Sequence, residues 1–346
     1  MTTLLLTDTD VHALLPMPEC IDVMADALRQ LATGAAVLPL RTVLRLGETP
    51  NAFAAMPAIV GTGTTASIGA KVITIFPGND ATSYDSHIGV VLLFDAEFGR
   101  LLAIADASSI TAIRTAAMSG LATRLLANED AHVLAVLGSG VLAMPHVEAI
   151  CAVRPISELR IWSRSGAAPG GRAAQFAAHA AAAFGLVVTV SDTAEHAVRD
   201  AHIVCTITAA QTPVLEGRWL RPGVHVNAVG ASVRSARELD TAAVRMARFF
   251  VDRGDSVRAE SGDFLIPLAE GAIDADHLCG ELGALLTGQI TGRTTREEIT
   301  VFKSLGLAVE DVAALRHIHA RALATGRGTR VELGGVRRAR SPSAEA

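Results

Sequence analysis

The chain has 346 residues with a formal charge of −5; half of the residues are hydrophobic and only 4% are aromatic. That length suits two domains rather than one, and so few aromatics leave the core to Ala, Val, Leu and Ile, as in layered α/β proteins. No basic stripe with interleaved aromatics is present, which argues against nucleic acid as a partner, and no uninterrupted apolar run is long enough to span a bilayer.

The opening MTTLLLTDTDVHALL lacks a basic stretch, and Asp8 and Asp10 interrupt its apolar run, so it does not read as a signal peptide. Cys20, Cys151, Cys205 and Cys279 form no CxxC pair. That usage fits a reducing, cytoplasmic setting rather than a disulfide framework or a zinc site. The strand-like segments TASIGAKVITIF, SHIGVVLLFDAEFG and RLLAIADASS follow without a regular helix between each pair, DAEFG reading as a hairpin turn. This part predicts an α+β domain. Residues 110–127 have helical apolar spacing and are placed to bridge to the second domain.

From residue 132 the pattern alternates. HVLAVLGSG (132–140) is an apolar run ending in glycines; helix-like VLAMPHVEAICAV, strand-like LRIWSRS, an Ala-rich helix, LVVTV, TAEHAVRDA, HIVCTIT, GVHVNAVG and ARFFVD succeed it. Repeated βαβ units predict a Rossmann-type, doubly wound parallel sheet. Residues 300–326 read as one long helical stretch returning to the first domain. The expected division is therefore 121–309 for the dinucleotide-binding domain, and 1–120 with 310–346 for a discontinuous α+β domain. The basic tail 337-RRARSPSAEA-346 reads as a frayed terminus.

The strongest local motif is 138-GSGVLA-143. It follows a strand and opens a helix. Gly138 permits a tight turn, Gly140 lets the backbone approach a pyrophosphate, and the helix N-terminus favours its charge, so Gly138, Ser139, Gly140, Val141 and Leu142 are candidate cofactor residues. At the end of the second strand, where an NAD site usually carries an acid, stand Ser163, Arg164 and Ser165. Arginine there pairs with a 2′-phosphate, which favours NADP(H) and leaves NAD(H) possible. Arg41, Lys71 and Arg114 each sit in apolar surroundings. Singly, each suits an internal ion pair; together they suggest an anionic ligand. His87, beside Ser86, is a pocket candidate. No set of side chains has metal-ligand spacing. In 227-NAVGASVRSARELD-240 a cleft-lining loop carries Ser232 where acid–base chemistry on an amine would be better served by a carboxylate.

These stretches, with PLRTVL, GAKVITIFPGN, ITAIRTAAMSGLAT, ESGD and TVFKSLGLAVED, resemble the ornithine cyclodeaminase/mu-crystallin family over about residues 35 to 315. The resemblance implies a homodimer of two-domain subunits, each with a Rossmann domain and a substrate-binding and dimerisation domain. It implies that Arg41 and Lys71 hold an amino-acid carboxylate, with Arg114 and Ser86 near the nicotinamide and phosphates. Phe302, Ser304 and Gly306 match the segment closing over the nicotinamide, and Thr206, Val229 and Gly230 positions along the cofactor. Met56 and Phe53 are candidate pocket walls. Leu142 replaces a glutamine common in the family's glycine loop. Ser232 replaces the aspartate that serves the cyclodeaminases, as it does in the mu-crystallin-like branch of ketimine reductases. The expectation is an NAD(P)H-dependent reductase of small cyclic imino acids. The proton then comes from solvent, from Lys71 or from a water held by Ser232. Ornithine cyclodeaminase, an alanine-type amino-acid dehydrogenase and a non-enzymatic NADPH-dependent binding protein are the alternatives.

Overall fold

A computed structural model describes residues 2–335 apart from 165, 167 and 169. Ser165 and the basic tail lie outside the described residues. The first sheet gathers β1 (Thr2–Leu6), β2 (Ala36–Val37), β3 (Thr42–Arg45), β4 (Ala52–Val60), β5 (Ser67–Ile75), β6 (His87–Asp95) and β7 (Leu101–Asp106). Strands β4 to β7 run as an antiparallel meander, β1 lies parallel to β7, and β2 and β3 pair with β4. DAEFG is the expected turn: the Asp95 carboxylate accepts the backbone N–H groups of Glu97, Phe98 and Arg100.

Side chains alternate across a strand, so residues two apart share a face. In β4, Ala54, Met56 and Ala58 point inward while Phe53 and Ile59 are exposed. Met56 and Phe53 are three apart and face opposite ways, which removes Phe53 from the wall that Met56 lines. The outward residues Phe53, Ile59, Ile68, Ile88 and Val90 leave an apolar outer face across three adjacent strands. Helices α1 (Asp8–Leu14), α2 (Met17–Ala32) and α3 (Ala107–Leu126) belong to this part. A Thr7–Asp10 capping box starts α1, and the Asp106 carboxylate caps α3.

The second sheet is entirely parallel, in the order β10-β9-β8-β11-β12-β15-β13-β14. Its strands are β8 (Val133–Leu137), β9 (Glu158–Trp162), β10 (Val187–Val190), β11 (Ile203–Thr206), β12 (His225–Ala228), β13 (Arg248–Val251), β14 (Leu278–Glu281) and β15 (Thr300–Lys303). Helices α4 (Ala143–Cys151), α5 (Arg172–Phe184), α6 (Ala194–Val198), α7 (Thr241–Met246), α8 (Gly254–Glu260), α9 (Gly262–Ala269) and α10 (Leu282–Leu286) connect them. Winding reverses between β8 and β11, the switch point beside which such sheets bind dinucleotides. Helix α3 is buried on nearly all sides because it packs on α2 and β6 on one flank and on α4, β12 and β15 on the other. A Cβ on its Gly120 would stand 2.9 Å from Ile21 Cδ1 and 3.2 Å from Ala149, so close helix approach requires glycine there.

The stretch 300–326 is not one helix. Thr300–Lys303 is β15, buried on both faces between β12 and β13, and α11 (Ala308–Thr325) begins only after a turn at Gly306 (φ +79). A four-residue strand with every side chain buried has no two-residue alternation to set it apart from helix. Helix α11 packs on β4, β5 and β6, and β16 (Thr329–Glu332) pairs antiparallel with β1, so this segment returns to the first sheet.

Candidate active site

The glycine loop leaves β8 at Leu137. Gly138 has φ +127, its N–H donates to the Trp162 carbonyl, and a Cβ there would lie 2.9 Å from Ile207. Only glycine satisfies both the dihedral and the contact. Beyond Ser139, Gly140 and Val141 are exposed, and a Cβ on Gly140 would meet nothing within 4 Å. Helix α4 then starts after Leu142, its N-cap residue, with no side-chain cap. A bare turn leading to uncapped N–H groups at a helix N-terminus fits a dinucleotide pyrophosphate. His146 pins this turn from beneath. Its Nδ1–H donates to the Leu142 carbonyl at 2.8 Å and its Nε2 accepts from Ser119 Oγ at 3.0 Å. Burial brings the imidazole down to about 4, so it is neutral and the carbonyl fixes this tautomer. Arg164 follows β9 in an exposed turn, beside the buried Ser163.

At the carboxyl ends of β11 and β12 the wall is tied by Glu238, which is fully buried. One carboxylate oxygen accepts from Thr206 Oγ1 at 2.8 Å and the Gly230 N–H at 2.6 Å; the other accepts the N–H and hydroxyl of Thr208, each at 2.7 Å. Asp263 in turn accepts the N–H groups of Glu238 and Leu239 and pairs with the buried Lys303, 3.0 Å away. A Cβ on Gly230 would lie 2.0 Å from the Thr208 carbonyl oxygen. Val229 is buried, its N–H on the Thr206 carbonyl. Phe302 is buried at the centre of β15, and the Ser304 N–H donates to the Ala228 carbonyl. The Asp252 carboxylate then accepts the N–H groups of Leu305 and Gly306 at 2.6 and 2.8 Å.

The three cations all carry carboxylate partners. Lys71, 2% exposed, lies 2.9 Å from Asp311 Oδ2 and donates to Thr111 Oγ1 at 3.4 Å. Arg114 donates from Nε to Asp311 Oδ1 at 3.0 Å and from Nη1 to Glu310 Oε2 at 2.8 Å, its guanidinium packed where a Gly306 Cβ would be. Arg114 is thus anchored to α11 through both carboxylates, as Lys71 is through Asp311. Arg41 forks onto Glu260, with Nε to Oε1 at 3.0 Å and Nη2 to Oε2 at 2.6 Å, and its Nη2 also donates to the Ser232 carbonyl at 3.1 Å. Arg41 thus spans from the first sheet's loops to the loop after β12. A narrow cleft here is lined by Arg41, Met56, Glu260, Gly306 and Leu307.

Met56 on β4 is the cross-strand neighbour of Lys71 on β5. His87 starts β6 on the Lys71 face. Its ring contacts Ser86 Oγ at 3.0 Å, and desolvation, then the charges of Lys71, Arg41 and Arg114, hold its pKa below the usual range. Burial brings Lys71 down to about 8, with Asp311 opposing the fall. Such an ammonium gives up a proton readily near neutral pH. Among the described residues, no group of His, Cys, Asp or Glu could hold a metal ion, and no helix is long and apolar enough to cross a membrane.

A second cavity, of about 250 Å³, lies at the amino edge of the parallel sheet between Asn128, His202, Arg221 and Arg296. Parallel sheets present ligands at their carboxyl edge, so this cavity is not the candidate site. The residues missed by sequence reasoning are the anions: Glu238, Glu260, Glu310 and Asp311. The last two stand in AVEDVAAL, in the same kind of apolar setting that singled out the cations.

The family model "Ornithine cyclodeaminase/mu-crystallin family" matches residues 1–326. The Delta(1)-pyrroline-2-carboxylate reductase of Bacillus cereus is 36% identical over 330 residues, covering 95% of this chain and 99% of that protein. The ketimine reductase mu-crystallin of Mus musculus is 36% identical over 286 residues, covering 83% and 85%. The structure of the Thermococcus litoralis Delta(1)-pyrroline-2-carboxylate reductase in complex with NADH and L-proline superposes with a TM-score of 0.90 at 35% identity, covering 95% of this chain and all of that one.

Proposed function

The chain belongs to the ornithine cyclodeaminase/mu-crystallin family, and on that footing we propose that it is an NAD(P)H-dependent reductase of cyclic imino acids. The substrates are Δ1-pyrroline-2-carboxylate, giving L-proline, and Δ1-piperideine-2-carboxylate, giving L-pipecolate. The observation that carries this reading is Ser232, in the place where the cyclodeaminases have an aspartate. A serine hydroxyl without a partner base does not activate water or deprotonate an amine. Glu260, which meets that loop only through Arg41, is forked onto this arginine and serves as its counter-ion. Imine reduction needs no strong base. Proline bound to the Thermococcus litoralis relative supports the same reading.

When bound, the nicotinamide cofactor would supply a hydride. The protein holds the substrate carboxylate against Arg41 and Lys71 and presents C2 of the ring to the cofactor cleft, with Met56 and His87 as walls. Lys71 hands a proton to the imine nitrogen, and the hydroxyl of Ser232 orients the ring or a water. Holding both reactants in register is the main contribution, because a protonated imine already accepts hydride well. Oxidation of NADH or NADPH on adding either imino acid, with the amino acid as product, is the expected result.

We read the cofactor preference from Arg164, whose side chain suits a 2′-phosphate. Arg164→Ala should weaken NADPH about tenfold or more and NADH about twofold or less, measured by fluorescence titration. Equal weakening of the two would remove Arg164 from phosphate recognition. The exposed Phe53, Ile59, Ile68, Ile88 and Val90 make an apolar sheet face that a second copy of the chain would cover, giving a homodimer. Light scattering at the mass of a single chain would contradict it.

A further inference from the structure

Lys71 cannot stay charged unaided. An ammonium with 2% exposure has lost its hydration, and a buried charge persists only beside an opposite one. The groups facing it come from three elements. Helix α11 presents Asp311 and, one residue away, Glu310; α3 presents Thr111 and Arg114; β6 presents His87. Arg114 and His87 oppose a charge on Lys71 or leave it unassisted, so the support comes from α11.

Asp311 is built to give that support without moving. One oxygen is 2.9 Å from Lys71 Nζ and the other takes Arg114 Nε at 3.0 Å, so the carboxylate is fixed between two cations and is itself fully buried. Glu310 faces the far side of the same guanidinium, 2.8 Å from Nη1, which leaves Asp311 less engaged by Arg114 than it would be alone. Both acids sit in the first turn of α11, where the helix dipole favours negative charge. Building on the reading of Lys71 as proton donor, we propose that Asp311 is a positioning residue for this reaction: it keeps Lys71 protonated and holds its ammonium in place between turnovers. In the cycle a Lys71 N–H bond breaks as the imine N–H bond forms, and C2 takes the hydride that bound NADH or NADPH would release on oxidation to NAD⁺ or NADP⁺. The neutral amine then regains a proton from solvent, drawn by the Asp311 charge.

The test is kcat/KM for the imino acid against pH in the full-length enzyme, from about pH 6 to 10, with NADH saturating. The substrate's own imine titrates alike in every variant and cancels from the comparison. Burial sets Lys71 at about 8, so wild-type activity falls as pH rises past that value. Asp311→Asn removes the supporting charge, and its basic limb should move down by about one pH unit or more. Lys71→Arg should lose that limb, because a guanidinium does not titrate in this range. Burial also pushes Glu310 up to about 8, so Glu310→Gln is the discriminating control; it should move the limb less than Asp311→Asn does. An unmoved limb in Asp311→Asn, with the limb gone in Lys71→Arg, overturns the role of Asp311 alone. So does a shift in Glu310→Gln as large as that in Asp311→Asn. A limb intact in Lys71→Arg overturns the reading of Lys71 itself. If Asp311→Asn does not fold, Thr111→Val removes the second acceptor and leaves both ion pairs. Its limb should move in the same direction by about 0.3 unit or more, and no movement overturns the proposal.

Discussion

Lys71→Ala should lower kcat/KM for the cyclic imino acid by about 10²- to 10⁴-fold, through a lower kcat and a higher KM together. Two losses coincide in this variant. The substrate carboxylate loses a point charge in a site of low dielectric, and the imine loses its proton donor. The split between the parameters separates them: binding alone would raise KM and spare kcat. The substitution also strands Asp311 Oδ2, a buried oxygen that faces Lys71 at 2.9 Å. Unfolding should therefore become easier by about 3 kcal/mol, the scale for breaking a buried pair, less whatever Arg114 recovers at the other oxygen. Steady-state kinetics and urea unfolding on one preparation check both effects. Unchanged kinetics would take Lys71 out of the site.

Glu238→Gln is expected to cost about 2–4 kcal/mol of stability and to weaken the nicotinamide cofactor tenfold or more, by roughly the measure of a lost buried acceptor. The wild-type carboxylate accepts four hydrogen bonds, two from backbone N–H groups, of Thr208 and Gly230, and two from hydroxyls. A glutamine has one oxygen. However the amide turns, its NH₂ faces one of those N–H groups, and two donors meet. The threonine hydroxyls can rotate to accept; the backbone cannot. Thr206 and Gly230 would then lose their common anchor at the ends of β11 and β12, along the proposed cofactor path. Denaturant unfolding and an NADH titration measure the two consequences. A variant that binds NADH like the wild type would reduce Glu238 to a packing residue.

What could be read from the sequence was local. The strand–turn–helix around Gly138 spans a dozen contiguous residues, and its glycine spacing is visible within them. The parallel sheet announced itself through repeated apolar runs, and the DAEFG turn through residues that hydrogen-bond among themselves. The cations were visible because a charge in an apolar run is conspicuous. Their partners were not. Lys71 meets Asp311, Arg114 meets Glu310, and Arg41 meets Glu260, each across most of the chain. No local pattern encodes such a pairing. Arg114 shows the consequence: it reads only as a charge in an apolar run, and the fold alone brings the two carboxylates of α11 against it. Phe53 fell away from Met56 for a simpler reason, since three residues along a strand is a change of face. β15 was hidden because a strand buried on both sides looks like the start of the helix that succeeds it.

Ser232 is the residue on which deamination and imine reduction part, and one paired assay tests that division most directly. The purified protein is given Δ1-pyrroline-2-carboxylate with NADH or NADPH in one cuvette, and L-ornithine with NAD⁺ in the other, with proline and ammonia measured in both. The account predicts cofactor oxidation and stoichiometric proline from the imino acid, and no ammonia from ornithine. Proline and ammonia from ornithine, without reduction of the imino acid, would contradict it.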